Sequence, residues 1–298
     1  MKNIKFLFAA ILVSLFLTRC DYVHPLKQAG AVGPVGTICT SISDSTTTRQ
    51  VLVEDYTGHR CGNCPFAAYH LDTLMNAPNG NRIVPIAVHA GYFADTAGAG
   101  FVPLYTTNFN TTAGTIWDTQ FNMSGQGNPS GMIDREGYPV SNWQTYTAWD
   151  ALISNTLSVP NAMNIKITNY YSCSSRIDSS IITANYLQAM DSIYMLSVVI
   201  TEDSIINNQE IYVNHDPGNT QNIPNYQFDH LLRGSLNGAW GDTLSIGAQP
   251  INSNFTKTYK LDLNSLPVLS DKHCSIVAFI YNAATYQVVQ AIRARVTQ

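Results

Sequence analysis

Val51-Leu-Val-Glu-Asp-Tyr-Thr-Gly-His-Arg-Cys-Gly-Asn-Cys-Pro65 is the stretch on which the fold turns. Val51 to Tyr56 is an apolar, β-branched run of buried-strand type. A short turn follows, and a Cys-x-x-Cys pair then opens a helix that accepts Pro65 in its first turn, where a missing N–H costs nothing. Thiol chemistry uses such a place: the thiolate is the reactive form, and a helix N-terminus offers unpaired N–H groups and a positive dipole end. A spacing of three puts Cys61 and Cys64 about one turn apart on one face, close enough for a disulfide.

Working outward, the helix over Phe66–Met75 is expected to end at Asn79-Gly80, and Arg82 to His89 is a second buried strand. A long region over 90–127 holds one helix, either at Pro103–Phe109 or at Ala113–Phe121. Ser130 to Arg135 is a third strand and Tyr138 to Val140 a short fourth. Trp143, Tyr146, Trp149, Ile153 and Leu157 recur at helical spacing and close the unit. This order resembles a thioredoxin-like domain over residues 50–158. That resemblance gives Pro129, directly before the third strand, the part of the cis-proline that faces the cysteine pair.

From residue 159 to 298 short alternating strands recur between turn residues: Asn164–Tyr170, Ile181–Leu187, Met195–Thr201, Leu231–Leu236, Phe255–Leu261, Ile276–Tyr281 and Tyr286–Val296. They predict an all-β, immunoglobulin-like sandwich. Residues 1–19 read as a signal peptide, with Lys2 and Lys5 before an apolar Phe6–Leu17 too short for an ordinary membrane span. Leu17-Thr-Arg-Cys20 resembles a bacterial lipobox, although Arg19 departs from its small residue, so Cys20 is the expected lipid-anchored cysteine. Residues 20–49, rich in Gly, Pro, Ser and Thr, read as a flexible tether.

Charged residues are 12% of the 298, the net charge is −4, and no Lys/Arg run occurs, which gives no footprint for nucleic acid. Six cysteines in an exported chain imply disulfides. With Cys20 lipidated and Cys61–Cys64 one pair, Cys173 and Cys274 are candidates for a structural bridge and Cys39 is left over; sequence alone leaves the connectivity open. No four-ligand set for zinc is present and no cofactor motif stands out, so neither metal nor cofactor is expected.

Glu54-Asp-Tyr-Thr-Gly-His59, Cys61-Gly-Asn-Cys-Pro65, the later Pro129-Ser-Gly-Met-Ile-Asp-Arg135 and a β-rich second half together resemble the Omp twenty-eight-related outer-membrane lipoproteins. The resemblance implies a thioredoxin-like domain followed by a sandwich, lipid-anchored at the outer membrane or the periplasmic face of the envelope. It fixes architecture better than activity.

Cys61 is the expected nucleophile, exposed at the helix start, with His59 and Arg60 adding positive potential and Cys64 as the buried resolving thiol. Thioredoxin-like proteins carry a buried acid six residues before the first cysteine that takes the resolving thiol's proton; Asp55 holds that spacing, and Glu54 would then face the other way. The expected function is thiol–disulfide exchange with a protein thiol or disulfide, hence an oxidoreductase. The alternative is a non-catalytic surface lipoprotein, an adhesion or binding scaffold for an envelope partner. An exposed Cys61 facing Pro129 favours exchange; a covered disulfide favours the scaffold.

Overall fold

The computed structural model describes residues 37–96 and 104–298; the signal peptide and Cys20 lie outside them. In chain order the strands β1 (Thr40–Ser45) and β2 (Val51–Thr57) precede helix α1 (Cys64–Met75) and strand β3 (Ile83–His89). Helices α2 (Thr112–Phe121) and α3 (Met123–Gln126) lead to β4 (Ser130–Ile133) and α4 (Trp149–Ser158). Strands then follow: β5 (Met163–Ser172), β6 (Ile177–Tyr186), β7 (Met190–Asp191), β8 (Tyr194–Glu202), β9 (Ile205–Tyr212) and β10 (Thr220–Phe228). The last are β11 (Leu231–Ser235), β12 (Asp242–Ser245), β13 (Ala248–Gln249), β14 (Asn254–Asp262), β15 (Cys274–Asn282) and β16 (Val288–Arg295). The protein is β-rich, and among the described residues no helix is long and apolar enough to cross a membrane.

One large sheet organises the molecule, in the order β16-β15-β8-β11-β3-β2-β4, with β12 also on β8. It runs across residue 158 without a break. The join is the parallel contact of Leu231 in β11 with Ala87 in β3, where the Ala87 N–H donates to the His230 carbonyl at 2.8 Å. Both faces of this sheet are buried, which is why its strands read as near-continuous apolar runs. On β8 and β15, Val198, Ile200, Ile276, Ala278 and Ile280 face a second, four-stranded sheet of order β1-β5-β6-β14, meeting Ile165, Ile167 and Ile182. Val199, Val277 and Phe279, pointing the other way, pack with Trp117 and Phe121 of α2. On β2 the same alternation sends Val51 and Val53 towards Ala67 and Leu71 of α1 and Trp149 and Ile153 of α4, while Leu52 and Tyr56 join the α2 side.

Three sequence expectations change here, and one open choice is decided. Residues 40–45 of the supposed tether form β1, because β5 supplies a full ladder to a Ser/Thr-rich segment with little burial of its own. Tyr138 to Val140 is a turn: the Val140 and Ser141 N–H groups donate to the Gly137 carbonyl, and Val140, 91% exposed, has no core to hold a strand. Of the two placements for a helix in the 90–127 region, 112–121 is the one formed, started by Thr111, whose hydroxyl accepts from the Gly114 N–H at 3.0 Å. The segment between β8 and β11, expected to be loop, is the two-stranded hairpin β9–β10.

The proposed Cys173–Cys274 bridge is not formed. Cys173 bonds Cys39, because the β1–β5 register (Thr40 opposite Tyr171) brings those two residues together at the sheet end, Cα atoms 5.8 Å apart. Cys274 belongs to the other layer; it is a buried free thiol on β15, its pKa pushed up by burial and by Glu202.

Candidate functional site

Strand β2 ends at Thr57, and the chain turns at Gly58 to deliver the cysteine loop. The Cys61 N–H donates to the Gly58 carbonyl at 3.0 Å and the Cys64 N–H to the Cys61 carbonyl at 3.1 Å. The helix proper begins at Cys64, with Pro65 in its first turn and Asn63 at its cap, so Cys61 sits one turn ahead of it. Cys61 and Cys64 are disulfide-bonded, with Cα atoms 5.3 Å apart. Asn128–Pro129 is a cis peptide bond. Since Ser130 lies opposite Tyr56, Pro129 stands beside Thr57 at the sheet end from which the cysteine loop leaves.

Exposure at Cys61 is the expectation that fails: both cysteines are 2% exposed. The cover is the β9–β10 hairpin. The Glu210 N–H donates to the His59 carbonyl and the Tyr212 N–H to the Gly62 carbonyl, each at 2.8 Å. Gln209, itself 2% exposed, donates from Nε2 to the Cys61 carbonyl at 3.0 Å. The Tyr212 ring rests on Gly62 so closely that a Cβ there would fall inside it, which makes glycine the one residue that fits. Past the strand, His215 lies against Phe66, the rings tilted by 31° with centres 3.9 Å apart.

The neighbours expected to supply positive potential do not do so in the expected way. His59 is 1% exposed and burial, with Arg60 beside it, lowers its pKa to about 4; the ring is neutral at pH 7, packed against Tyr105 and Phe109. Desolvation outweighs attraction because, among the described residues, no carboxylate accepts from either ring nitrogen. Arg60 turns its guanidinium to the 92–95 turn, donating to the Tyr92 and Asp95 carbonyls at 3.2 and 3.0 Å and lying over the Tyr92 ring.

Asp55 is where the spacing put it. It is 3% exposed, its Oδ1 has no hydrogen-bond partner among the described residues, and burial raises its pKa from 3.8 to about 7. A cavity of about 50 Å³ connects it to Cys64. That is room for a few waters. His89, Gln209, Asp72, Asp229 and His230 also line it. His89 is likewise buried and unpartnered, its pKa pushed down to about 3 by burial and by His59. Glu54, as expected, faces the opposite side of β2, where Arg135 holds it at 2.7 and 2.8 Å. No cluster of three or more His, Cys, Asp or Glu with metal-binding geometry occurs among the described residues.

Gln209 and Tyr212, which cover the disulfide, and Tyr226 and Phe228, which line the cavity beside it, were missed by the sequence reading. A signal was present: Asp216-Pro-Gly-Asn219 is turn chemistry, flanked by Ile211-Tyr-Val213 and Ile223 to Phe228.

Fold and site together describe a β-rich protein with a covered Cys-x-x-Cys disulfide. The chain belongs to the family described as Outer membrane protein Omp28, whose model matches residues 115–298, and its place is the outer membrane of the cell envelope. Among solved structures, HBP35 of Porphyromonas gingivalis aligns with TM-score 0.55 and 15% identity over 84% of this chain and 76% of that one, a likeness of fold alone. A domain of the outer membrane lipoprotein Omp28 from Porphyromonas gingivalis aligns at 19% identity and TM-score 0.31, over 47% of this chain and 93% of that chain. No curated protein matches.

Proposed function

We propose that this chain is a lipid-anchored outer-membrane protein, tethered through Cys20, whose thioredoxin-like framework over residues 50–158 carries a guarded thiol–disulfide exchange centre at Cys61–Cys64, with an immunoglobulin-like sandwich behind it. Asp55 carries this reading. A buried carboxyl without a partner is costly, and a purely structural disulfide has no use for one. A carboxyl of pKa about 7 that lines the same cavity as Cys64 can give a proton to the departing Cys64 thiolate and take it back at neutral pH. Pro129, placed beside Thr57 at the same sheet end by the β2–β4 register, supports the same framework.

Exchange would proceed by attack of a partner thiolate on one sulfur of the pair, with a mixed disulfide as intermediate. Turnover of a protein disulfide by the full chain with dithiothreitol as reductant tests it. Slow turnover is expected from the native protein and none above background from Cys61→Ser or Cys64→Ser. A Cys61→Ser protein as active as the parent removes the exchange reading.

The second reading, a non-catalytic binding scaffold, is favoured by the burial of both sulfurs. It predicts no turnover by any form and a loss of stability of about 2–4 kcal/mol when the pair is replaced by serine.

A further inference from the structure

We infer that strand β9 occupies a docking groove for an extended, cysteine-bearing polypeptide segment, and that exchange at Cys61–Cys64 starts when such a segment displaces residues 209–212. This rests on the exchange reading above and names its substrate class.

The cysteine loop presents two backbone acceptors, the His59 and Gly62 carbonyls, to N–H groups two residues apart on an extended strand. A third acceptor, the Cys61 carbonyl, is met by a planar amide, and the bare Cα of Gly62 by a flat ring. Backbone carbonyls plus a pocket for one aromatic side chain are the recognition elements of strand addition, in which the main chain gives affinity and the alternate side chains give selectivity. The segment now in place is the chain's own.

It is also unevenly held. The base of the hairpin is fixed by an apolar cluster of Ile205, Phe228, Phe109 and Leu231. Two side-chain bonds, from Asn207 to Thr107 and from Asn208 to the Leu104 carbonyl, hold the start of β9. Further out the hairpin makes a two-stranded sheet joined to no other, and residues 215–221 are exposed. Over the disulfide it is kept by the polar contacts just named and by the rings of Tyr212 and His215. A segment held by few buried apolar contacts opens at lower cost than the core.

Once a partner strand lies there, its thiolate attacks Sγ of Cys61. The partner–Cys61 S–S bond forms, the Cys61–Cys64 bond breaks, and Cys64 leaves as a thiolate that takes the Asp55 proton. A second partner thiol gives its proton to the Asp55 carboxylate and, as a thiolate, attacks the partner sulfur of the mixed disulfide; Cys61 leaves as a thiolate and takes up from water the proton that the first partner thiol released there. The partner dithiol loses two electrons and two protons, and the pair gains them.

The test uses the full chain and Tyr212→Ala, with Tyr212→Phe as the conservative control. The rate at which dithiothreitol opens the Cys61–Cys64 disulfide is followed by mass-resolved alkylation. Tyr212→Ala should open about tenfold faster, equivalent to about 1.4 kcal/mol, with Tyr212→Phe close to the parent. A synthetic peptide of residues 207–213 should slow the Ala variant back towards the parent rate, and the same peptide with its tyrosine replaced by alanine should not. Equal rates in parent and Ala variant, or no effect of the peptide, overturn the groove. If Tyr212→Ala does not fold, amide hydrogen exchange in the parent decides: Glu210 and Tyr212 should exchange faster than Leu52 and Val53, and equal protection overturns the proposal. Fast opening and peptide protection in a variant that turns over no protein disulfide would leave the groove standing and remove the exchange reading.

Discussion

Glu54 and Asp55 are neighbours on one strand, both sealed from water at 0% and 3% exposure, yet the two faces of β2 treat them in opposite ways. Towards α2, Glu54 accepts two hydrogen bonds from Arg135, whose guanidinium lies 4.9 to 5.5 Å from the ring centres of Trp117, Phe121, Phe279 and Tyr281. Those rings come from both sides of the chain's midpoint, so the ion pair links α2 to β15 through the β2–β4 edge. Towards α1, Asp55 has a cavity and a disulfide for neighbours. The lesson is that burial alone says nothing about a carboxylate's job. A charge buried with its partner belongs to the architecture. A carboxyl buried without one keeps its proton near pH 7, the state that the proposed exchange needs of Asp55.

Breaking one member of each pair sharpens this contrast. Glu54→Gln leaves the Arg135 charge buried without a countercharge and should cost about 3–5 kcal/mol, read as a fall in the urea midpoint; a loss under 1 kcal/mol would put the pair at the surface of the energetics.

Asp55→Asn should act with the opposite sign and with a pH dependence. The folded pKa, about 7, lies above the unfolded 3.8, so the folded state holds the proton more tightly. Below pH 3.8 both states are protonated and the group adds nothing; between there and 7 the unfolded state ionises first, and native stability falls as pH rises. Relative to the parent, the Asn variant should therefore gain nothing at pH 3 and as much as about 4 kcal/mol by pH 8. A difference that stays flat over this range would mean that Asp55 is ionised in the fold.

The smallest effect is expected from replacing both partners on the α2 face. Glu54→Leu together with Arg135→Met removes both charges and keeps the volume, so its stability should lie within about 1–2 kcal/mol of the parent. A double variant as unstable as Glu54→Gln would show that the aromatic surround needs the guanidinium itself.

Much of this was legible in the residues. Val51 to Tyr56 and Arg82 to His89 are apolar runs that only a doubly covered strand explains, and both form strands of the large sheet. The six-residue interval from Asp55 to Cys61 and the Asn-Pro step before β4 put three site residues at one sheet end. The hairpin was not legible in the same way. Ile206, Asn207, Asn208 and Gln209 carry no alternation of apolar and polar, because the strand's inward position over the disulfide is filled by a glutamine rather than an aliphatic side chain. Nor was the partner of Cys173, because residues 39 and 173 meet through the β1–β5 register, and β1 buries too little to announce itself.

What the sequence determined by itself was local: which runs extend, where a helix can start, and that two thiols three residues apart can bond. These follow from steric and hydrogen-bonding rules that act within a few residues. Only the tertiary structure decided that strands from both halves share one sheet, that Cys39 rather than Cys274 meets Cys173, and that a polar hairpin, reaching Cys61 from Gln209 at a separation of 148 residues, closes over it. Those contacts depend on which surfaces lose water together when distant segments meet, and that is settled by packing the whole chain.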